Sequence, residues 1–474
     1  MTEIERAPLW TSAEIAAATG GQLEGPPFDA YGVTTDSREV EPGDLFVALK
    51  AERDGHDFAA AAMARGAAAA LVSRTLQGPD IIVSDTLHAL ERMGEAARDR
   101  APLARRAAVT GSVGKTSVTQ AIAAAIALAG PSHASVKSYN NHIGVPLTLA
   151  RMPRGTQRAV FEIGMNHADE ITPLSGLVRP HVAVVTVVGP VHVENFPDGE
   201  IGVARAKAEI FDGMDAGGVA LLNADDRWFD LLSAAARARG AEVRTFGRAE
   251  GATARLTDFH ADGEGATVEA EVEGRPVQIR LAQTGRHWGH NALAALLAVE
   301  ALGAPRETAL QALAAFAPLA GRGAQSRVRL PQGEVLLIDE SYNANPVSMR
   351  AALNTLGASL GAASKGRRIA VLSDMLELAD SPAVHAALAE PVLDAGVDAA
   401  FLAGPDMKAL YDALPEARRG AWRPKAEALA PVVVEALKAG DVVMVKGSKG
   451  SKASLVVEAI KAAGAAAPAA REAR

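Results

Sequence analysis

The chain has 474 residues, 49% of them hydrophobic, and a formal net charge of −8 with acidic and basic residues interspersed. This length predicts about three domains, and the charge pattern shows neither the basic surface typical of nucleic-acid binding nor the lysine-rich amphipathic stretch typical of membrane binding. The absence of cysteine excludes disulfides, thiol catalysis and thiolate metal sites, which leaves oxygen and imidazole ligands for any metal.

The N-terminus carries no predicted targeting segment. Residues 1–10 lack the apolar core of a signal peptide, and no uninterrupted apolar run along the chain reaches the length of a membrane span. We therefore expect a cytoplasmic protein that stays in solution and binds neither a membrane nor nucleic acid.

Residues 1–103 are predicted to form a small α/β domain. Short apolar runs typical of strands alternate there with alanine-rich runs typical of helices. The predicted strands cover 44–49, 69–72 and 81–83, and the predicted helices cover 58–65 and 87–98. Because Pro102 and a pair of arginines precede the next strand, we place the domain boundary near residue 103.

The second predicted domain, 104–318, begins with a strand, a glycine-rich loop and a helix. In Ala108–Ser117 an apolar run ends in Gly-x-x-Gly-Lys-Thr, and a helical pattern starts at once. Glycines let backbone N–H groups close around phosphate oxygens, Lys115 can reach the outer phosphates, and the Thr116 hydroxyl can hold Mg²⁺. The pattern therefore predicts a phosphate-binding loop (P-loop), against the alternative of an ordinary turn between strand and helix.

The rest of this domain predicts a doubly wound, mostly parallel sheet. Near-continuous apolar runs, typical of strands covered by helices on both faces, lie at 159–163, 182–188 and 219–222. Between 253 and 281 the pattern changes to strict alternation, split at Gly274-Arg275-Pro276. That change predicts an antiparallel hairpin with one side facing solvent.

Residues 319–474 are predicted to form a third domain with a Rossmann-like sheet. Apolar strands alternate with helical patterns, at 335–339, 369–372, 399–403 and 442–445. A last helix is predicted over 453–463, followed by a low-complexity tail over 465–474 that is expected to fray. The predicted fold class is therefore α/β in three domains.

Polar residues close two of the apolar strands in the second domain. Glu162 interrupts the run 159–163, and His192 follows the run 182–188 after a Gly-Pro turn. Since ligands of open α/β sheets bind beyond the carboxyl ends of the strands, Glu162, His192 and Thr116 can surround Mg²⁺ on a bound nucleotide. Spacing alone leaves the alternative open, which is a paired surface carboxylate and a solvated loop histidine.

Lys207 lies in a helical stretch, Ala204–Phe211, with charged neighbours. A solvated lysine that interacts with charges one helical turn away is the simpler interpretation, and spacing gives this residue no function.

A series of motifs, found in one order over essentially the whole chain, resembles the Mur ligase family. The motifs of the second and third domains are Thr110–Thr116, Asn140–Pro146, Glu162–Asn166, His192, Ala206–Phe211, Asn223–Asp226, His287-x-x-His290-Asn291, Gly321-Arg322 and Asp339–Pro346. Those of the first domain are Thr35–Arg38, Pro42–Leu49 and His56–Phe58. Together these motifs are far more specific than any one of them.

The resemblance implies an ATP-dependent amide ligase that uses Mg²⁺. Contacts to ATP would come from Thr110, Gly111, Ser112, Val113, Gly114, Lys115, Thr116, Ser117, Asn291, Arg322 and Asp339. Thr116 and Glu162 would ligate one Mg²⁺, and His192 would help to hold a second. Lys207 matches a lysine that the family carbamylates with CO₂. Lys115, Lys207, His192 and Arg322 would form the catalytic group.

The resemblance also implies two further substrates. They are a UDP-N-acetylmuramoyl-tripeptide, bound by the first domain, and D-alanyl-D-alanine, bound by the third. Substrate contacts would come from Ser37, Arg38, Asn140, Tyr342 and Asn345. From the residues alone, Asp36-Ser37-Arg38 could equally be a polar turn. The family leads us to expect a monomer.

The third domain bears on which member of the family this chain resembles. The segment Leu372–Leu378 resembles the Gly-Asp-Met-x-Glu-Leu segment of dipeptide-adding members, with Ser373 in place of the glycine, and no Asp-Asn-Pro-Arg signature of third-residue-adding members is found. Val445–Lys449 closes a strand on a Lys-Gly-Ser turn, as in the family, although a plain surface turn is the alternative. Rival functions are a third-residue-adding ligase, a folylpolyglutamate synthase, or a nucleotide-binding regulator without enzymatic activity.

Overall fold

The structure is a computed structural model that describes residues 7–76, 78–136, 138–261, 265–317, 319–359, 366–376, 378 and 380–465. Glu377 of the segment Leu372–Leu378, Pro318 at the proposed second boundary and residues 466–474 of the predicted tail lie outside the described residues. Within the described part, no helix has both the length and the apolar character needed to cross a bilayer.

The first domain is a five-stranded sheet with helices packed against it. Its strands are β1 Trp10–Thr11, β2 Gln22–Glu24, β3 Asp29–Ala30, β4 Gly32–Thr34, β5 Asp44–Val47, β6 Ala69–Val72 and β7 Asp80–Ile82. Its helices are α1 Ser12–Thr19, α2 Ala59–Ala64 and α3 Thr86–Asp99. The strand order is β2-β7-β6-β5-β4, with only β2 antiparallel, and β1 pairs with β3 separately.

The middle domain is built on a nine-stranded sheet of order β16-β15-β14-β13-β12-β11-β8-β10-β9. Its strands are β8 Arg105–Thr110, β9 Ser132–Ala134, β10 Arg158–Glu162, β11 Val182–Val185, β12 Val219–Asn223, β13 Glu242–Gly247, β14 Ala254–Ala261, β15 Ala266–Val272 and β16 Arg275–Leu281. Its helices are α4 Lys115–Leu128, α5 Gly144–Ala150, α6 Ile171–Val178, α7 Glu200–Ala208, α8 Phe229–Ala238, α9 Trp288–Ala301 and α10 Arg306–Ala315.

Both faces of the middle sheet are covered, as the apolar runs predict. Successive residues of β8 enter opposite cores, because Ala107 and Val109 pack into one hydrophobic cluster and Ala108 packs into the other. The seven strands β8 to β14 all run parallel to one another. The strands β15 and β16 then extend the sheet beyond β14 by antiparallel pairing.

The predicted hairpin is present, but its turn lies one position earlier than the sequence suggested. Glu273 and Gly274 form the turn, with φ of 52° and 75°, which is the left-handed pair that a type I′ turn requires. Arg275 and Pro276 belong to β16 instead. Proline is tolerated there because β16 is an edge strand.

The third domain is a six-stranded sheet of order β17-β18-β22-β19-β20-β21, in which only β17 is antiparallel. Its strands are β17 Ala324–Leu330, β18 Gly333–Glu340, β19 Arg368–Ser373, β20 Ala399–Ala403, β21 Arg419–Arg423 and β22 Val442–Lys446. Its helices are α11 Pro346–Ala358, α12 Ser381–Ala386, α13 Ala389–Asp394, α14 Met407–Ala413, α15 Ala426–Ala436 and α16 Ser454–Ala465. The sequence missed β17 and β21 because these edge strands expose polar residues.

Candidate active site

The glycine-rich loop between β8 and α4 has the backbone shape that phosphate binding requires. Gly111 and Gly114 have φ of 146° and 88°, values that residues other than glycine rarely adopt. A Cβ at Gly111 would lie 1.9 Å from the Thr186 hydroxyl oxygen, so a side chain has no room there. Gly114 caps α4, which leaves the helix N-terminus with its free N–H groups directed into the loop.

The strand next to β8 holds this loop in place. Thr186, which follows β11, donates from its hydroxyl to the Val113 carbonyl at 2.6 Å. The Ser112 N–H donates to the Val187 carbonyl at 2.7 Å, and the Ser112 hydroxyl donates to the Gly189 carbonyl at 3.0 Å. The loop is therefore held by the chain that leads to His192, and both parts of the site are positioned together.

A buried carboxylate lies beside the start of α4. Glu162, at the end of β10, is 1% exposed. Its Oε1 accepts from the Asn140 amide at 2.7 Å and from the Ser138 hydroxyl at 3.3 Å, and the Ser138 oxygen is hydrogen-bonded to the Thr116 hydroxyl at 2.8 Å. Its Oε2 is buried without a hydrogen-bond partner among the described residues. A buried carboxylate oxygen without a partner is costly unless a ligand satisfies it.

Three basic groups of the middle domain share this region, and burial lowers the pKa of each. The Lys115 ammonium donates to the Gly111 carbonyl at 2.6 Å, and its pKa is lowered by burial despite the attraction of Glu162. Burial, together with the charges of Lys115 and Lys207, lowers the pKa of His192 to about 4, so its imidazole is neutral at pH 7.

Lys207 is buried rather than solvated, which overturns the simpler interpretation from spacing. It lies near the end of α7 with 2% of its surface exposed, and burial plus the charge of Lys115 lowers its pKa well below the usual value. Within the described part of the chain, its ammonium has neither a hydrogen-bond partner nor an ion-pair partner. A buried lysine without a counter-ion favours the neutral amine.

The third domain brings Arg322 to the same region. The guanidinium carbon of Arg322 lies 4.2 Å from the centre of the Tyr342 ring, and one of its nitrogens lies 3.5 Å from the Ser138 hydroxyl of the middle domain. Lys446, at the end of β22, is 2% exposed and donates to the Asn343 carbonyl at 2.9 Å. Cations of the third domain therefore face the phosphate-binding loop.

Asp339 does not line the cavity, although the resemblance to the family implies that it contacts the nucleotide. Its carboxylate accepts from the Gly321 N–H at 3.0 Å and from the Ser341 hydroxyl at 2.6 Å, so it holds the turn that presents Arg322. The next residue, Glu340, lines the cavity instead and lies 3.5 Å from the Lys446 ammonium. The alternation of β18 turns these neighbouring carboxylates to opposite sides.

A cavity of about 540 Å³ lies between the middle and third domains. The predicted site residues that line it are Ser112, Val113, Gly114, Lys115, Thr116, Ser117, Asn140, Glu162, His192, Asn291, Arg322, Tyr342 and Asn345. The predicted site residues outside its lining are Ser37, Arg38, Thr110, Gly111, Lys207 and Asp339. Arg38 is an exposed residue of the first domain, paired with Asp36 at 2.6 Å.

The sequence analysis assigned no role to Ser138, Glu340, Lys446, His287 or His290, which also line the cavity, although all but Ser138 lie in the motifs it quoted. Glu340 and Lys446 end the strands β18 and β22, so the rule that singled out Glu162 could have found both. Ser138 lies in a loop without any distinctive pattern, and only the fold places it between Thr116 and Glu162.

The fold and the cavity define a class of enzyme in which a P-loop domain and a second cationic domain close on one nucleotide site. Sequence comparison identifies the family: the chain belongs to the Mur ligase family. The family model "Mur ligase family, catalytic domain" matches residues 29–117, "Mur ligase middle domain" matches 109–299, and "Mur ligase, glutamate ligase domain" matches 326–449.

Individual curated relatives and a solved structure are similar to this chain over most of its length. The UDP-N-acetylmuramoyl-tripeptide–D-alanyl-D-alanine ligase of Escherichia coli (strain K12) is 37% identical over 409 residues, which is 85% of this chain and 88% of the relative. The ligase of the same name from Bacillus subtilis (strain 168) is 34% identical and covers 78% of this chain and 79% of the relative. A crystal structure of MurF from Acinetobacter baumannii matches with a TM-score of 0.83 at 28% identity, over 96% of this chain and 99% of that one.

Proposed function

We propose that this chain is an ATP-dependent, ADP-forming ligase that joins D-alanyl-D-alanine to UDP-N-acetylmuramoyl-tripeptide in the cytoplasm, as a monomer. The observation that supports this most strongly is the shared cavity, in which Arg322 of the third domain approaches Ser138 beside the phosphate-binding loop at 3.5 Å. The names of the curated relatives favour a dipeptide over a single amino acid as the amine substrate. We also propose boundaries near residues 103 and 318, with the tripeptide substrate on the first domain.

The reaction needs activation of a carboxylate, because a carboxylate is a poor electrophile. The terminal carboxylate of the tripeptide attacks the γ-phosphorus of ATP, which gives an acyl phosphate and ADP. The amine of the dipeptide then attacks the acyl carbon, loses a proton and expels phosphate. Lys115 and Arg322 approach the phosphoryl group from opposite domains and balance its charge, and closure of the cavity keeps water from the acyl phosphate.

The residues around Glu162 fit a Mg²⁺ ion on the nucleotide. The unpartnered Oε2 of Glu162 and the Thr116 hydroxyl are oxygen donors, and no group of three or more His, Asp or Glu side chains suited to a metal occurs among the described residues. Mg²⁺ is typically bound through one or two carboxylates plus substrate phosphates, which suits this sparse set. When bound, the metal neutralises phosphate charge. His192, which is neutral at pH 7, has the protonation state that a ligand of a second ion needs.

The remaining residues take roles in substrate binding. We propose that Asn291 contacts the adenine and that Glu340, rather than Asp339, offers the third domain's carboxylate to the nucleotide, since Glu340 lines the cavity. Tyr342 and Asn345 lie on the opposite wall, where the activated acyl group meets the dipeptide. Asn140 fixes Glu162 by its amide, and Ser37 and Arg38 bind the UDP-linked substrate on the first domain.

A panel of amines tests the proposed function directly. With ATP, Mg²⁺ and UDP-N-acetylmuramoyl-tripeptide, D-alanyl-D-alanine is expected to give ADP and a product whose mass equals the two substrates less one water. Diaminopimelate, lysine and glutamate, offered singly, are expected to give neither. ADP release that only a single amino acid provokes would assign the chain to another ligase. ATP binding without release of ADP or phosphate would indicate a regulator.

The Glu162→Gln variant is expected to raise the Mg²⁺ concentration needed for half-maximal activity by about 10–100-fold, because a neutral amide replaces an anionic ligand at an unchanged volume. The measurement is the initial rate as a function of Mg²⁺ concentration at saturating ATP. Glu269→Gln serves as the matched control, because Glu269 is a partly exposed residue of β15, far from the loop, whose carboxylate accepts a hydrogen bond from the Gln278 amide. An unchanged Mg²⁺ dependence in Glu162→Gln would remove this residue from the metal site.

A further inference from the structure

A second, smaller cavity adjoins the large one. It has a volume of about 110 Å³ and lies between the loop after β11 and the third domain. His192, Asn343 and Asn345 line both cavities, so they mark the junction between the two. The other lining residues are Val191, Ala344, Leu376, Leu378, Ser448, Lys449 and Gly450.

Lys449 supplies a positive charge to this second cavity. Its ammonium nitrogen lies 5.9 Å from the centre of the Tyr342 ring, which places it near the large cavity as well. Among the described residues, no carboxylate lies within ion-pair distance of it. Lys452, one turn further on, points elsewhere and is 3.5 Å from Glu427. Lys449 is therefore a cation at the cavity that remains available to a ligand.

Aliphatic and polar residues share the walls of the second cavity. Val191, Ala344 and Leu376 contribute aliphatic surface. The Ser448 hydroxyl donates to the Ala344 carbonyl at 3.2 Å and accepts from the Leu376 N–H at 2.9 Å, so it ties two of the walls together. The volume is well below the ~300–1,000 Å³ of sites for larger ligands, so a short side chain such as a methyl group suits it.

We propose that this second cavity binds the C-terminal residue of the incoming dipeptide, with Lys449 pairing its carboxylate and the aliphatic walls accepting its methyl group. The inference rests on the proposed function. The N-terminal residue of the dipeptide then extends past His192, Asn343 and Asn345, which delivers its amine to the acyl phosphate in the large cavity. Lys449 is thus a specificity-determining residue, because it selects an amine substrate that ends in a carboxylate.

The Lys449→Met variant keeps an aliphatic stem without the charge. Its KM for D-alanyl-D-alanine is expected to rise at least about tenfold, the size typical of a lost charged hydrogen bond, while the KM values for ATP and for the UDP-linked tripeptide stay within about twofold. Lys452→Met is the matched control and is expected to leave all three KM values unchanged. Lys449 could instead pair with a carboxylate of the UDP-linked tripeptide. A rise confined to the KM of the tripeptide would therefore overturn the proposal.

A second readout separates charge pairing from a merely structural role. The wild-type enzyme is expected to discriminate against D-alanyl-D-alanine amide, which lacks the terminal carboxylate, and Lys449→Met is expected to lose most of that discrimination. Equal discrimination in wild type and variant would overturn the assignment of Lys449 while the ligase activity still stands. If the wild type ligates no dipeptide at all, both the proposed function and this subsite are wrong.

Discussion

Lys115→Met is expected to lower the rate of ATP-dependent ligation by about 10³–10⁵-fold, the range found when a cation that stabilises a transferring phosphoryl group is removed. The Lys115 ammonium lies at the Gly111 carbonyl, beside the N-terminus of α4, where we propose that the outer phosphates of ATP bind. Methionine keeps the length of the side chain and removes only the charge and its hydrogen bonds. The measurement is acceptor-dependent release of ADP at saturating substrates.

Stability provides the control for this variant. Burial lowers the pKa of Lys115, so the charged form is held less well in the folded chain than in the unfolded chain, and the charge destabilises the fold at any pH below the ordinary pKa of lysine. Lys115→Met is therefore expected to unfold within a few degrees of the wild type. Lys408→Met, which removes an exposed lysine paired with Asp412, is expected to change neither property. Wild-type activity in Lys115→Met would exclude this loop as the ATP site.

The phosphate-binding loop could be predicted from the sequence because the residues that shape it are neighbours in the chain. A buried strand, two glycines with positive φ and a largely apolar helix follow one another in residues 105–128, and each has its own sequence signature. The sheet of the third domain was predicted for the same reason, since its inner strands are continuous apolar runs. Edge strands such as β17 have no such run and were missed.

Contacts between domains could not be predicted from the sequence, because they depend on how separate domains pack rather than on local patterns. Which of two adjacent carboxylates faces the cavity depends on the side of β18 that the middle domain covers. The structure turns Glu340 toward the cavity and Asp339 toward the turn before Arg322. Likewise, the burial of Lys207 depends on how α7 packs beneath the loop that carries His192. The resemblance to the family named Lys207, whereas its helical spacing indicated a solvated residue.

The second large effect that we expect concerns Lys207, whose buried amine is a candidate for modification by CO₂. A buried amine that is neutral can attack CO₂: its nitrogen lone pair forms the N–C bond, a proton leaves, and a carbamate anion results. The positive charge of Lys115, which lowers the pKa of Lys207, attracts such an anion. We therefore propose that Lys207 is carbamylated in the active enzyme. The modification would replace a buried neutral amine by an anion that Lys115 stabilises and that can fix the metal or the substrate.

Lys207→Met is expected to lose at least about 100-fold in activity, as is typical when a group that positions a metal or a reacting atom is removed. The wild type is expected to lose activity when CO₂ is stripped from the buffer, and to regain it on addition of bicarbonate. Only the neutral amine reacts with CO₂, so the burial that lowers the pKa of Lys207 favours its modification over that of exposed, protonated lysines at neutral pH.

The modification can be observed without reference to activity. In ¹³C-bicarbonate, the wild type is expected to show a protein-bound carbamate carbon signal that Lys207→Met lacks. Lys446 is the internal control, because it is equally buried but donates to the Asn343 carbonyl and lies beside Glu340. These contacts favour its ammonium form, which has no lone pair to attack CO₂. A signal that persists in Lys207→Met would place the carbamate elsewhere. Full activity of the wild type in CO₂-free buffer would show that Lys207 acts as an unmodified amine.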